Sequence, residues 1–145
     1  MHFRNDFSLI AQAPIEVAGP LFGADKERVW APDWNPVFLW PQDARDQPGM
    51  VFTVAHGDKT AVWVNTVFDL AAGRAQYVYV LPDVVATVVS LQLTPIGNTT
   101  RVAVTYERTV LREAARDVVR HMAERDANAG PQWERQINAY LTTRR

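Results

Sequence analysis

Cysteine is absent from the 145 residues, which excludes disulfides and thiolate metal sites and fits a reducing, cytoplasmic setting. Histidine is scarce. His2, His56 and His121 fall in a strand, a turn and a helix, with no H-x₃-H spacing or paired carboxylate box, so no metal is expected. The only serines, Ser8 and Ser90, lie outside any G-x-S-x-G elbow. Neither Gly19-Pro20 nor Gly73 makes a phosphate-cradling loop, and no cofactor is expected. Charge of one sign is lacking too: 15 basic against 16 acidic residues leave −1, with no general attraction for nucleic acid or anionic membrane. No apolar run approaches the roughly 20 residues of a membrane span. Met1 to Ala11 carries Arg4, Asn5 and Asp6 where a signal peptide would have its apolar core. The expectation is a soluble, unexported, cytoplasmic chain forming one domain over residues 1–145.

What the sequence does have is aromatic residues and alternation. Five Trp, four Tyr and six Phe are a rich supply for this length, a first hint of a cavity. His2 to Ala11 alternates as a strand, and Pro14 ends it. Ile15 to Phe22 and Asp25 to Trp30 read as two short helices, with Asp25 placed to cap the second. Trp34 to Pro41, bracketed by prolines, reads as a short edge strand. Val51 to Ala55, Thr60 to Asp69, Arg74 to Leu81, Val85 to Leu93 and Thr100 to Thr109 follow as strands joined by short turns, an antiparallel meander. Arg112 to Leu141 then has apolar residues at helical steps and reads as one long helix that would lie across the sheet. Within it, Gly130-Pro131 predicts a kink or restart. Asp126 interrupts the apolar stripe: either the helix is rotated or irregular there, the preferred reading, or the carboxylate meets a polar partner inside.

This order resembles the helix-grip fold of the START-like, or SRPBCC, superfamily, which includes the birch-pollen allergen family and the polyketide cyclase/dehydrase group. The resemblance is carried by Ala13-Pro14-Ile15-Glu16-Val17, by Glu27-Arg28-Val29-Trp30 with Trp34, and by Trp63-Val64 with Val67 and Asp69. It continues in Thr100-Arg101-Val102, Val104-Thr105-Tyr106, Trp133-Glu134 and Tyr140-Leu141. It covers essentially the whole chain and implies an α+β architecture: a curved antiparallel sheet of about six to seven strands around a long C-terminal helix. The resemblance also implies a pocket between sheet and helix that in many relatives holds a hydrophobic small molecule. It implies no catalytic residue, because fold alone does not fix function.

The candidate wall comprises Trp30, Trp34, Trp40, Trp63, Tyr77, Tyr79, Tyr106 and Trp133, with Ile137 from the helix. Alternation on the last strand sends Tyr106 inward and Arg108 after it, where a guanidinium would pair with a ligand anion, with Asp126, or with solvent. Asn65 is either a polar handle in the pocket or a solvated amide. Tyr77 and Tyr79 share a face; were it the outer one, an exposed aromatic stripe would favour a homodimer. The leading expectation is binding of an apolar or aromatic small molecule. A second is a cyclase/dehydrase-like enzyme using Tyr106, Asp126 or His121 as acid-base groups, provided at least two reach one pocket. A third is a protein-interaction module with a filled core. Arg144-Arg145 reads as a solvated basic end.

Overall fold

Ten alternating residues, His2–Ala11, form strand β1 in the computed structural model, which describes residues 1–144. A one-turn helix α1 (Ile15–Ala18) follows and runs into 3₁₀ turns at Gly19–Phe22 and Lys26–Val29. Then come β2 (Val37–Trp40), β3 (Val51–His56), β4 (Lys59–Asp69), β5 (Arg74–Leu81), β6 (Val85–Ile96) and β7 (Thr99–Val110). Helices α2 (Arg116–Ala127) and α3 (Gly130–Thr143) close the chain. The seven strands make one antiparallel sheet in the order β1-β7-β6-β5-β4-β3-β2, so β1 and β2 are its edges. The last hairpin is tighter than expected, with β6 extending through Pro95 to Ile96 and only Gly97-Asn98 left to turn.

The period-two alternation of each strand aligns inner side chains into rows across the sheet. One row follows the register from Phe3 through Arg108, Thr87, Tyr79 and Trp63 to Phe52 and Phe38. The next row runs from Asn5 through Tyr106, Val89 and Tyr77 to Asn65. A register shift between Asn65 and Val67 ends this regular pairing and bends β4.

The expected long helix is two helices. Asn128 leaves the helical conformation (φ −115, ψ 9), and Pro131 stands in the first turn of α3, where its missing N–H costs no bond. A break there lets α3 approach the edge strand: a Cβ on Gly130 would meet the Ser8 carbonyl oxygen at 3.3 Å. From α3 the Glu134 carboxylate accepts the Ile10 N–H (2.8 Å). Asn138 accepts from Gln12 N–H (2.8 Å) and donates to the Ile10 carbonyl (2.9 Å). Polar side chains of the helix thus bond backbone groups along the end of β1 and just beyond it, which blunts an edge that would otherwise template pairing.

Two further expectations need correction. Asp25 caps nothing: the segment after it is a four-residue 3₁₀ turn, and its carboxylate lies 3.6 Å from Arg28 instead. Asp126 is not turned outward by an irregular helix but is buried, 6% exposed, with a partner on β7. Phe22, Phe52, Met50 and Ile137 anchor the core, each stabilising the fold by about 1.5–3 kcal/mol on burial. Arg144 donates to the Tyr140 hydroxyl at 2.8 Å, and Arg145 lies outside the described residues.

Candidate functional site

The two inner rows of the sheet form the floor of a cavity of about 300 Å³. Trp63, Tyr77, Tyr79, Val89, Tyr106 and Arg108 come from that floor, Phe52, Val54 and His56 from β3, and Trp133 from α3. The 3₁₀ region between α1 and β2 closes the remaining side with Phe22, Ala24, Glu27, Asp33 and Trp34. Asp33 and Ala55 are the exposed members, so the mouth opens between this segment and the β3–β4 hairpin.

The rings are held by one another and by the backbone. Trp63 stacks on Tyr79 (centroids 4.2 Å apart) and on Phe52 (5.6 Å), while Trp34 meets Trp63 edge-on at 5.2 Å. Trp133 packs edge-on against Phe7 at 5.1 Å. The Trp34 indole donates to the Ala24 carbonyl (2.6 Å), and the Tyr77 hydroxyl to that of Phe22 (2.8 Å). Those polar atoms are spent on structure, which fixes the ring planes and leaves apolar faces toward the void.

Arg108 is also committed. Its guanidinium gives Asp126 two hydrogen bonds, 2.6 and 2.9 Å, and donates to the Tyr79 hydroxyl at 2.6 Å and to Thr87 at 3.2 Å. It lies 4.8 Å from the centre of the Tyr106 ring. Hydrogen bonding to Asp126 and the charge beside it outweigh burial, so Arg108 stays firmly cationic.

Five polar groups on the cavity wall have no hydrogen-bond partner among the described residues: the Glu27 and Asp33 carboxyls, the His56 ring, the Tyr106 hydroxyl and the Trp63 indole N–H. Burial alone pushes the Glu27 carboxyl up to about 8. Burial, and then the Arg108 charge, push His56 down. The Tyr106 hydroxyl is driven well above the usual phenol range, chiefly by burial.

The sequence-based candidates divide accordingly. Trp34, Trp63, Tyr77, Tyr79, Tyr106, Arg108 and Trp133 share the one cavity. Trp40 does not: it is 53% exposed on the edge strand β2. Trp30 is buried behind the wall, its indole donating to the Leu21 carbonyl at 2.8 Å and its ring 5.2 Å from Trp133. Ile137 is fully buried in the core and does not reach the cavity wall. Asn65 points inward but lies beneath the lining, fully buried. Tyr77 and Tyr79 face inward, so they form no outer aromatic stripe. Of the acid-base trio, His121 is exposed on α2 and Asp126 is locked by Arg108, leaving Tyr106 alone on the wall.

Among the wall residues that sequence reasoning passed over are Glu27 and His56. Glu27 stood in the quoted Glu27-Arg28-Val29-Trp30 stretch, but on a four-residue 3₁₀ turn no periodicity marks an inward face. His56 ends β3 two residues beyond Val54 and four beyond Phe52, an inward phase that alternation does carry. Among the described residues no three His, Asp or Glu side chains are grouped to hold a metal ion.

No protein-family model matches the chain, and no curated protein matches it. Solved structures do. Norcoclaurine synthase from Thalictrum flavum, solved in complex with dopamine and hydroxybenzaldehyde, is 9% identical, with TM-score 0.72 over 100% of this chain and 89% of that one. The Zhui aromatase/cyclase from Streptomyces sp. R1128 is 15% identical, with TM-score 0.68 over 99% and 93%. Ara h 8.0201 is 10% identical, with TM-score 0.68 over 99% of both chains. At such identities the likeness shows architecture alone, and this chain has the helix-grip fold of START-like, or SRPBCC, proteins.

Proposed function

We propose that the protein binds an aromatic small molecule in the cavity between its sheet and its C-terminal helices. The observation that carries this reading is the wall itself: aromatic faces around about 300 Å³, with the polar atoms of Trp34, Tyr77 and Arg108 already satisfied by the protein. A site of that size walled mainly by rings suits a compact, mostly apolar ligand. Two of the three solved structures compared above are a synthase and an aromatase/cyclase, one of them solved with aromatic ligands, which supports this reading. An interaction module would have a filled core, and the cavity counts against it.

The test is titration with 2-naphthol, a neutral bicyclic probe, followed by tryptophan fluorescence, since Trp34, Trp63 and Trp133 all line the space. Saturable quenching in the wild type, lost in Val89→Trp while the folded circular-dichroism spectrum is retained, is the expected result. Quenching unaffected by a ring placed in the middle of the cavity would place binding elsewhere and sink the reading.

A further inference from the structure

The wall carries charges of unequal standing. Among the described residues Arg108 is the one cation on it, and the two-point bond from Asp126 balances its charge. Glu27 and Asp33 are the acids on the wall, and neither forms an ion pair among the described residues. The neighbouring bases are otherwise engaged: Arg28 donates to the Pro36 carbonyl at 2.8 Å and leans toward Asp25, and neither it nor Lys26 lines the cavity. The unpaired ionisable groups of the wall are therefore acids, with Glu27 set among the rings of Trp34, Trp63, Tyr77, Tyr106 and Trp133. Aromatic faces attract a cation and repel an anion, so walls and carboxyl favour the same ligand charge.

We propose that this cavity selects a protonated aromatic amine, with the ring among the tryptophans and tyrosines and the ammonium group on the Glu27 carboxylate. The inference rests on the aromatic-ligand reading above and narrows it by charge. An ammonium hydrogen bond satisfies the lone carboxylate, and the positive charge holds that carboxyl ionised in a place where burial otherwise favours its neutral form. A carboxylate ligand would instead face Glu27 and Asp33 with no free cation to receive it, because Arg108 is taken.

The experiment compares three probes of one shape, 2-phenylethylamine, 2-phenylethanol and phenylacetate, by calorimetry at about pH 8, where the first is a cation and the last an anion. In the wild type the amine should bind about tenfold tighter than the alcohol, the worth of one charge-assisted hydrogen bond, and phenylacetate weakest. In Glu27→Gln, which keeps the shape of the side chain, the amine's advantage over the alcohol should shrink to about twofold or less. Alcohol binding as tightly as amine in the wild type overturns the charge assignment and leaves the aromatic pocket standing. So does an amine preference that survives Glu27→Gln. Failure of all three probes to bind overturns both readings.

Discussion

Arg108 on β7 and Asp126 on α2 face each other through two parallel hydrogen bonds, 2.6 and 2.9 Å, each residue less than a tenth exposed. The pair clamps the first C-terminal helix to the sheet just behind the cavity. Removing one member leaves the other charged and dry, so Asp126→Ala should cost about 3–5 kcal/mol of stability in urea denaturation. The double variant Arg108→Met, Asp126→Leu removes both charges and should recover most of that loss. A single variant that loses under about 1 kcal/mol would mean that Arg108 reaches water and the clamp is open.

Glu27 makes stability depend on pH in a direction opposite to most carboxylates. Its folded carboxyl titrates near 8, against an ordinary 4.5, because burial favours the neutral form. Between those values the folded chain holds a proton that the unfolded chain has released, so stability falls as pH rises from about 4.5 through 8 and is then level. Of the other groups on this wall, His56 works against this trend on the acid side, because its lowered value makes charging it cost stability as pH falls below 6.5. Arg108 keeps its charge across this window, and Tyr77 and Tyr106 stay neutral. Glu27→Gln isolates the one group. At about pH 9 the variant should be more stable than the wild type by on the order of 2 kcal/mol, a figure discounted for a side chain that is only half-buried, and at about pH 4 the two should match. Parallel stability curves across that range would show the carboxyl to be solvated.

Strand alternation made most of the sheet and the inward phase of Tyr106 and Arg108 legible, because one buried face per strand fixes register. The order of elements likewise carried the architecture. Alternation did not resolve what depends on partners distant in sequence. Asp126 reads as an interruption until Arg108, 18 residues away, is seen beside it. Trp30 and Trp40 are as aromatic as Trp34, yet one is sealed behind the wall and the other stands at the sheet edge. Residue type marks a ring as useful for a cavity, and only the path of the irregular chain from 19 to 36 decides which ring arrives. Glu27 was hidden for that reason.

Asn65 is fully buried on β4, and its side-chain amide has no hydrogen-bond partner among the described residues. Its backbone is well used, accepting from Gly49 N–H at 2.7 Å and donating to the Met50 carbonyl at 2.9 Å. The side chain therefore bears a desolvation cost with no return, and Asn65→Leu should raise stability by about 1 kcal/mol. The shift in urea midpoint at unchanged slope measures it. A loss of similar size instead would mean that the amide is hydrogen-bonded in solution.

Trp133 joins α3 to the cavity, with Phe7, Trp30 and Tyr106 around its ring. Truncation to Ala removes those contacts and opens the wall, and should cost about 3 kcal/mol. Trp133→Phe keeps much of the packing and should cost about 1 kcal/mol. Because the ring is half-buried and bounds the void, the two variants should also differ in ligand capacity: Ala enlarges the cavity toward α3 and weakens the hold on 2-naphthol, whereas Phe leaves an aromatic face in place. Equilibrium denaturation and fluorescence titration on the same samples separate the two effects. Equal stability of Trp133→Ala and wild type would show that α3 does not rest on this ring.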